Sequence, residues 1–316
     1  MSSPAGPAGP AGPARGVTVR AAAKVNLVLL VGAPRPDGMH PLDTVYQAIS
    51  LYDDVRALPA ERWEVTVMPV GGVDCSGVPL DEDNLAVRAG MLLASHHGLE
   101  RAARLEITKG IPVAGGLAGG SADAAAALVA LDRLWDVHTS DDDLLRLAAE
   151  LGSDVPFALL GGTARGTGRG ELVEPVPDAG DHWWVVVPHE GGLSTPAVYG
   201  EHDRLRPDVP ARLPAPTALL DALAVGDHAA LGAALHNDLE DPAVSLRPEL
   251  GERLALVRAH HDGPVLLSGS GPTVLAYAAS HADATATRAA LVDAGVPVVH
   301  VATGPVAGAH VLELDR

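Results

Sequence analysis

Cysteine is nearly absent from this chain of 316 residues, because Cys75 is the only one. A single cysteine excludes an intrachain disulfide and a cysteine-based zinc site. No uninterrupted apolar run approaches the roughly 18 residues that cross a bilayer. The N-terminus lacks a basic region followed by an apolar stretch, so we expect no secretory signal. These absences together favour a cytoplasmic protein without a membrane partner.

Positive charge is scarce as well. Only 22 residues are Lys or Arg against 40 Asp and Glu, which gives a net charge of −18. Nucleic acid is therefore not expected as a partner, since a general nucleic-acid binder carries a basic stripe. Any anionic ligand must be held by a local positive site. Lysine occurs only at Lys24 and Lys109. These two compact charges are candidates for a tight site. The alternative is that both lysines occur by chance.

The composition supports a large hydrophobic interior, with 47% apolar and 20% charged residues. Strands and helices alternate without the regularity of a doubly wound sheet, which predicts an α+β fold of two domains. We expect a disordered Pro/Ala/Gly tail at residues 1–15, a first domain at 16–165 and a second at 166–316. Whether the last strands, within residues 298–314, return to the first domain is left open.

Hydrophobic periodicity predicts the main elements. The predicted strands cover residues 17–31, 46–51, 63–68, 105–108, 183–187 and 265–267. The predicted helices cover residues 83–97, 122–135, 140–152, 219–235 and 249–261.

Four glycines fall within six residues between a predicted strand and an Ala-rich helix: Gly115, Gly116, Gly119 and Gly120. Glycine allows positive φ and close backbone approach to a ligand. Successive N–H groups in such a loop, together with a helix N-terminus, bind phosphate. The spacing matches neither a Walker A motif nor a Rossmann fingerprint. The alternative is a flexible turn that caps the helix. A second glycine cluster, at 267–273, is by itself typical of a tight β-turn, but with the first loop it could close over a nucleotide.

Lys24 and Asp154 form a candidate acid–base pair. Lys24 lies inside an apolar strand pattern, where an unpaired charge is costly and requires an anionic partner. Asp154 follows the end of a predicted helix. The alternatives are a surface lysine on an edge strand and an aspartate that caps the next helix, with Pro156 in its first turn. Beside a glycine loop, the pair supplies the charge neutralisation and hydroxyl orientation that phosphoryl transfer needs.

Seven segments follow the order found in a known family. They cover residues 23–27, 35–40, 111–124, 151–156, 194–199, 237–240 and 267–273. Over nearly the whole chain after the tail, the sequence resembles the GHMP small-molecule kinases. The segment Arg-Pro-Asp-Gly-Met-His at 35–40 narrows the resemblance to the branch that acts on a cytidyl-diphosphate sugar alcohol in non-mevalonate isoprenoid biosynthesis.

The resemblance implies a two-domain fold whose active site lies in the cleft between a nucleotide-binding domain and a smaller substrate-binding domain. It implies an ATP-dependent kinase with Mg²⁺ that phosphorylates the 2-hydroxyl of its substrate. Asp154 would take the hydroxyl proton, and Lys24 would favour the ionised carboxylate and stabilise the transferring phosphoryl. Ser121 would contact Mg²⁺. The implied ATP-binding residues are Lys109, Pro112, Val113, Ala114, Gly115, Gly116, Leu117, Ala118, Gly119, Gly120, Ser121 and Ala122.

The same resemblance implies a set of substrate-binding residues. They are Asn26, Met39, His40, Thr195, Tyr199, Gly269, Ser270 and Gly271. His40 would hydrogen-bond the cytosine edge and Tyr199 would stack on its face. Met39 stands where the family usually has an aromatic residue. This departure keeps open a kinase for another small alcohol of the homoserine or mevalonate type. A second alternative, a catalytically silent nucleotide-binding module, requires that Lys24 and Asp154 lie apart in space. A monomer or homodimer is expected.

Overall fold

The computed structural model describes residues 16–314. The disordered tail predicted for residues 1–15 lies outside the described residues. The strands in the described range are β1 (Val17–Val31), β2 (Leu42–Ala60), β3 (Glu64–Pro69), β4 (Ala102–Lys109), β5 (Thr163–Thr167), β6 (Leu172–Pro175), β7 (His182–Val187), β8 (His236–Asn237), β9 (Val265–Leu267), β10 (Val274–Ala278), β11 (His300–Gly304) and β12 (His310–Leu314). The helices in that range are α1 (Leu85–His96), α2 (Gly119–Trp135), α3 (Asp141–Leu151), α4 (Val155–Leu160), α5 (Thr195–Leu205), α6 (Thr217–Val225), α7 (His228–Ala234), α8 (Glu240–Leu246), α9 (Pro248–Ala259) and α10 (His281–Asp293).

The larger sheet has the central order β12-β1-β2-β4-β3. β5 pairs with β2 and continues into the hairpin with β6, while β8 lies parallel to β1. β12 pairs antiparallel with β1, so the last described strand returns to the first one. The boundary proposed between residues 165 and 166 lies within β5, whose hairpin partner β6 belongs to the same sheet.

The smaller sheet is antiparallel, in the order β11-β7-β10-β9. Helices α9 and α10 pack on it. Its residues Trp184, Leu275 and Tyr277 join the same hydrophobic core as β1 and α2. The predicted α+β class is confirmed. No helix in the described part of the chain has an apolar stretch long enough to cross a membrane.

Helix α2 brings its N-terminus close to the strand that carries Lys24. Its alanines from Ala124 to Ala127 are fully buried, and their small side chains let the helix pack closely on β1 and β2. Side chains alternate along a strand. Val25 and Leu27 of β1 therefore face the core beneath α2, while Lys24 and Asn26 face the opposite side.

The single helix predicted at 219–235 is wrong, because the structure has two helices there. Gly226 adopts φ +69° and ends α6. The Asp227 side chain then accepts hydrogen bonds from the backbone N–H groups of Ala229 and Ala230, which starts α7. Left-handed backbone at a glycine ends a helix, and an aspartate cap begins another. Elsewhere the predicted elements lie where expected, with β2, β4 and α2 longer than the patterns indicated.

Candidate active site

A cleft of about 780 Å³ lies where β1, the glycine-rich loop before α2, the start of α4 and helix α5 meet. The cleft brings together most of the residues proposed from the sequence. Those that line it are Lys24, Asn26, Met39, His40, Ala114, Gly115, Gly116, Ala118, Gly119, Gly120, Ser121, Asp154, Thr195, Tyr199, Gly269, Ser270 and Gly271.

Lys24 and Asp154 meet inside this cleft. The Lys24 Nζ lies 3.7 Å from the Asp154 Oδ2, and Lys24 is only 6% exposed. The surface-lysine alternative is therefore wrong. Asp154 does occupy the N-cap position of α4, but its side chain makes no capping hydrogen bond. The carboxylate of Asp154 thus remains available for a reaction in the cleft.

Asn26 fixes the ammonium of Lys24. The Lys24 Nζ donates a 2.8 Å hydrogen bond to the Asn26 Oδ1, and the Asn26 Nδ2 donates to the Thr44 Oγ1 at 2.8 Å. The Thr44 hydroxyl in turn donates to the carbonyl oxygen of Val28. Each polar atom in this series of hydrogen bonds has a partner, so the ammonium of Lys24 is held in one position.

Two tyrosines border the acid–base pair. The ring of Tyr46 lies 5.9 Å from the Lys24 Nζ, and Tyr199 lines the same cleft. Burial raises the pKa of the Tyr46 hydroxyl well above its ordinary value, and burial likewise raises the pKa of Tyr199. Both phenols therefore stay protonated near neutral pH, so that neither can compete with Asp154 as a base.

The glycine-rich loop presents backbone N–H groups to the cleft. Helix α2 begins at Gly119, earlier than predicted, and its cap residue Ala118 makes no side-chain hydrogen bond. The first N–H groups of a helix have no partner within it, so Gly119, Gly120 and Ser121 offer donors to an anion. Ala114 adopts φ +53° and Ala118 φ +58°. Left-handed conformations at non-glycine residues are costly and cluster at functional sites.

The second glycine cluster packs directly against the glycine-rich loop. The Ser268 Oγ donates a 3.0 Å hydrogen bond to the carbonyl oxygen of Gly116. A Cβ at Gly116 would lie 2.2 Å from the Ser268 carbonyl oxygen, so the close approach requires glycine. The Asn237 Nδ2 donates to the carbonyl oxygens of Leu267 and Gly269 and holds the second cluster in place. The cluster is therefore part of the site rather than an isolated turn.

Lys109 does not present its ammonium to the cleft. Its Nζ donates to Asp53 and, at 2.8 Å, to Asp123, and Lys109 is 2% exposed. The Asp53 Oδ1 also accepts from the backbone N–H groups of Gly110 and Ile111, where β4 leads into the loop. We call Asp53, Lys109 and Asp123 the buried triad. It fixes the root of the loop to the N-terminal part of α2 through Asp123.

The remaining predicted loop residues lie around this root. Leu117 and Ala122 are fully buried, so their side chains face the core and only their backbone is near the cleft. Val113 lines a smaller cavity of about 210 Å³, together with Asn84 and Lys109. Pro112 borders neither cavity among the described residues. Ala114, Gly119 and Gly120 line both cavities, which are therefore adjacent across the loop.

His40 and Tyr199 form the opposite wall. Their ring centroids lie 4.9 Å apart at an interplanar angle of 34°. The His40 Nε2 lies 2.8 Å from the Asp203 Oδ1. His40 is only 9% exposed, and both His40 and Met39 line the cleft.

Sequence reasoning missed several residues of the cleft. Arg169 lines it, with its guanidinium paired to Glu171. Tyr46, Ser153 and Asp203 also line the cleft. Their signal is weak, because Tyr46 and Asp203 lie outside the seven segments, and Ser153 lies within one of them but shows no pattern that marks it as a cleft residue. Thr44, which orients Asn26, could have been found only from the pairing of β1 with β2.

Comparisons with known proteins agree with this geometry. Residues 84–162 match the N-terminal domain of GHMP kinases, and residues 219–296 match the GHMP kinases C terminal. The 4-diphosphocytidyl-2-C-methyl-D-erythritol kinase of Nocardioides sp. is 60% identical over 296 residues, covering 93% of this chain and 99% of that protein. The chain belongs to the GHMP kinase family. The resemblance found in the sequence is thereby confirmed.

Solved structures place this GHMP kinase in the same fold. A crystal structure of 4-(cytidine 5'-diphospho)-2C-methyl-D-erythritol kinase superposes with a TM-score of 0.73 at 34% identity, covering 90% of this chain and 98% of that one. Homoserine kinase from Cytophaga hutchinsonii gives a TM-score of 0.70 at 20% identity, covering 94% and 97% of the two chains. The second likeness is evidence for the fold alone.

Proposed function

We propose that this GHMP kinase transfers the γ-phosphoryl group of ATP to the 2-hydroxyl of 4-diphosphocytidyl-2-C-methyl-D-erythritol, a step of non-mevalonate isoprenoid biosynthesis. The observation that carries the proposal is the Lys24–Asp154 pair, 3.7 Å apart, in the cleft that the glycine-rich loop lines. The name of the Nocardioides relative at 60% identity supports this choice of substrate over other small alcohols.

Asp154 is the proposed base. Its carboxylate takes the proton of the 2-hydroxyl as the hydroxyl oxygen forms a bond to the γ-phosphorus, while the bond from that phosphorus to the β,γ-bridging oxygen breaks and ADP leaves. Lys24, held by Asn26, stabilises the negative charge on the transferring group. A loose phosphoryl-transfer transition state needs this positioning and charge neutralisation more than covalent help from the protein.

The uncapped start of α2 is the proposed phosphate site. Its free N–H groups and the positive end of the helix dipole suit the β- and γ-phosphates. The adjacent smaller cavity has room for the rest of the nucleotide, with Lys109 in its lining. Mg²⁺, when bound, would neutralise phosphate charge. The Ser121 hydroxyl, an oxygen ligand of the kind that Mg²⁺ prefers, lies in the first turn of α2 and would hold it.

The wall made by His40 and Tyr199 is the proposed cytosine site. His40 supplies polar nitrogens for the base edge, and Tyr199 supplies a ring face for stacking. Met39, 42% exposed, supplies a polarizable side chain on the same wall. The Thr195 Oγ1 and Ser270 Oγ lie 2.9 Å apart and link α5 to the second glycine cluster, where the diphosphate and erythritol would lie.

A kinase assay tests this proposal. The purified chain is given ATP, Mg²⁺ and either the cytidyl substrate, homoserine or mevalonate, and ADP release is followed together with ATP binding by calorimetry. We expect turnover with the cytidyl substrate only. Turnover with homoserine or mevalonate alone would show that the proposed substrate is wrong. ATP binding without turnover of any alcohol would favour the silent nucleotide-binding module.

A cytoplasmic location and a monomer or homodimer are part of the same proposal, and light scattering tests the oligomeric state.

A further inference from the structure

Three side chains that can ligate a metal ion converge in one wall of the cleft. His40 lies in the loop between β1 and β2, while His202 and Asp203 are consecutive residues of α5. The His40 Nε2 lies 2.8 Å from the Asp203 Oδ1, and the His202 Nδ1 lies 3.6 Å from the same oxygen. One ligand atom from each residue lies within 4.8 Å of the other two.

His202 is a buried polar residue whose ring nitrogens make no hydrogen bond within the described fold. It is 1% exposed, and neither of its ring nitrogens has a hydrogen-bond partner among the described residues. A neutral imidazole carries one N–H and one free lone pair, and buried polar atoms of this kind nearly always have a partner. Its ring stands edge-on to that of His40, with centroids 6.2 Å apart and an interplanar angle of 89°. A ligand shared with His40 would satisfy a nitrogen that is otherwise unpaired.

We propose that His40, His202 and Asp203 form a binding site for a divalent transition metal ion such as Zn²⁺. Zinc takes imidazole nitrogen and carboxylate oxygen, and a site with three protein ligands leaves a fourth position open to water. Mg²⁺ prefers oxygen ligands only, so this site differs in chemistry from the one that serves the nucleotide. The single carboxylate offsets part of the charge of the ion.

The site has a consequence for catalysis that rests on the proposed function. His40 would serve both the metal ion and the cytosine of the substrate. A metal ion on the Nε2 removes the partner Asp203 from His40 and changes which ring nitrogen can accept a hydrogen bond. We therefore expect Zn²⁺ to raise the KM for the cytidyl substrate, and so to act as a competitive inhibitor at this wall.

Metal binding is tested directly with the full chain after removal of metals by EDTA, in the absence of ATP and substrate. Zn²⁺ is titrated by calorimetry, and Co²⁺ is used as a probe whose visible absorption reports a four-coordinate site. We expect one ion per chain. Asp203→Asn keeps the shape of a side chain that is about one third exposed, and His202→Gln removes a ligand. Each should weaken Zn²⁺ binding by at least about ten-fold.

His138→Asn is the matched control. His138 is 73% exposed next to Asp136, and its φ of +54° suits asparagine. It should bind Zn²⁺ like the unmodified chain. The proposal is overturned if the unmodified chain shows no saturable binding of Zn²⁺, or if Asp203→Asn and His202→Gln both bind it with unchanged affinity. Because no substrate is present, a failed kinase assay does not alter this outcome.

Discussion

Asp154 occupies the N-cap position of α4, but its carboxylate makes no capping hydrogen bond to that helix. The side chain is 31% exposed and faces Lys24 across the cleft. Asp154→Asn keeps its size but cannot take a proton. Turnover should fall by about 10²–10⁴-fold, the usual contribution of a general base, while the affinity for ATP stays unchanged. Single-turnover kinetics and calorimetry with ATP measure the two quantities.

An exposed aspartate provides the control for that variant. Asp142→Asn in the first turn of α3 removes the same charge far from the acid–base pair. It should retain full turnover. If Asp154→Asn kept a near-normal rate, another group would have to take the proton and the assigned base would be wrong.

The Lys24–Asp154 pair could be predicted from the sequence, whereas the partners of Lys109 could not. Lys24 and Asp154 could be predicted to meet because Lys24 broke an apolar strand pattern and both residues fell in motifs of the family. The partners of Lys109 could not, since Asp53 lies 56 positions away and reaches it only through the pairing of β2 with β4. Lys109, predicted as a nucleotide contact, holds the loop root through this ion pair and also lines the smaller cavity.

The glycine-rich loop depends on close contact with the second glycine cluster. Gly116→Ala would place a Cβ 2.2 Å from the Ser268 carbonyl oxygen, at a φ of +76° that disfavours any side chain. We expect a loss of at least about 1–3 kcal/mol in the free energy of unfolding and weaker ATP binding. Thermal unfolding without ligand measures the first effect, and calorimetry measures the second.

Gly120→Ala should have the opposite effect on stability. Its Cβ would meet nothing within 4 Å, and Gly120 lies in the first turn of α2. Alanine in a helix is favoured over glycine by about 0.5–1 kcal/mol, so the unfolding temperature should stay equal or rise. Equal destabilisation by the two substitutions would show that the contact with Ser268 does not hold the loop.

The buried triad makes stability depend on pH. Burial raises the pKa of Asp123 to about 8, although the charge of Lys109 opposes the shift. The Asp123 Oδ1 has no hydrogen-bond partner among the described residues. The folded protein therefore holds a proton that the unfolded chain releases near its ordinary pKa of 3.8. Stability is then greatest below that value and falls as pH rises towards 8.

Asp123→Asn removes this titration while keeping the side-chain shape. The free energy of unfolding, measured in urea from about pH 5.5 to about pH 8.5, should fall with pH less steeply in the variant than in the unmodified chain. Asp136→Asn, at a side chain that is 83% exposed, should leave the slope unchanged. A slope that is identical in Asp123→Asn and the unmodified chain would contradict a protonated Asp123.

At the scale of the whole molecule, the sequence predicted the α+β class and about half of the described elements, those that local periodicity and caps decide. It could not predict that β12 returns to β1, or how the two sheets are joined. Gln47 of β2 makes that connection: its Nε2 donates to the Asp178 Oδ2 at 3.0 Å, and its Oε1 accepts from the Trp184 Nε1 at 2.9 Å. These partners are more than 130 positions away, and no local pattern marks them.

Gln47→Leu should weaken the junction between the sheets. Trp184, fully buried, would keep an indole N–H without its partner, and an unsatisfied buried donor costs about 1–3 kcal/mol. Trp184→Phe removes that donor, so the two substitutions should be coupled by about 0.5–3 kcal/mol in a double-mutant cycle followed by urea unfolding. Trp63→Phe serves as the control, because Trp63 packs against Trp135 and shares no hydrogen bond with Gln47. Additive effects of Gln47→Leu and Trp184→Phe would mean that this hydrogen bond does not join the two sheets energetically.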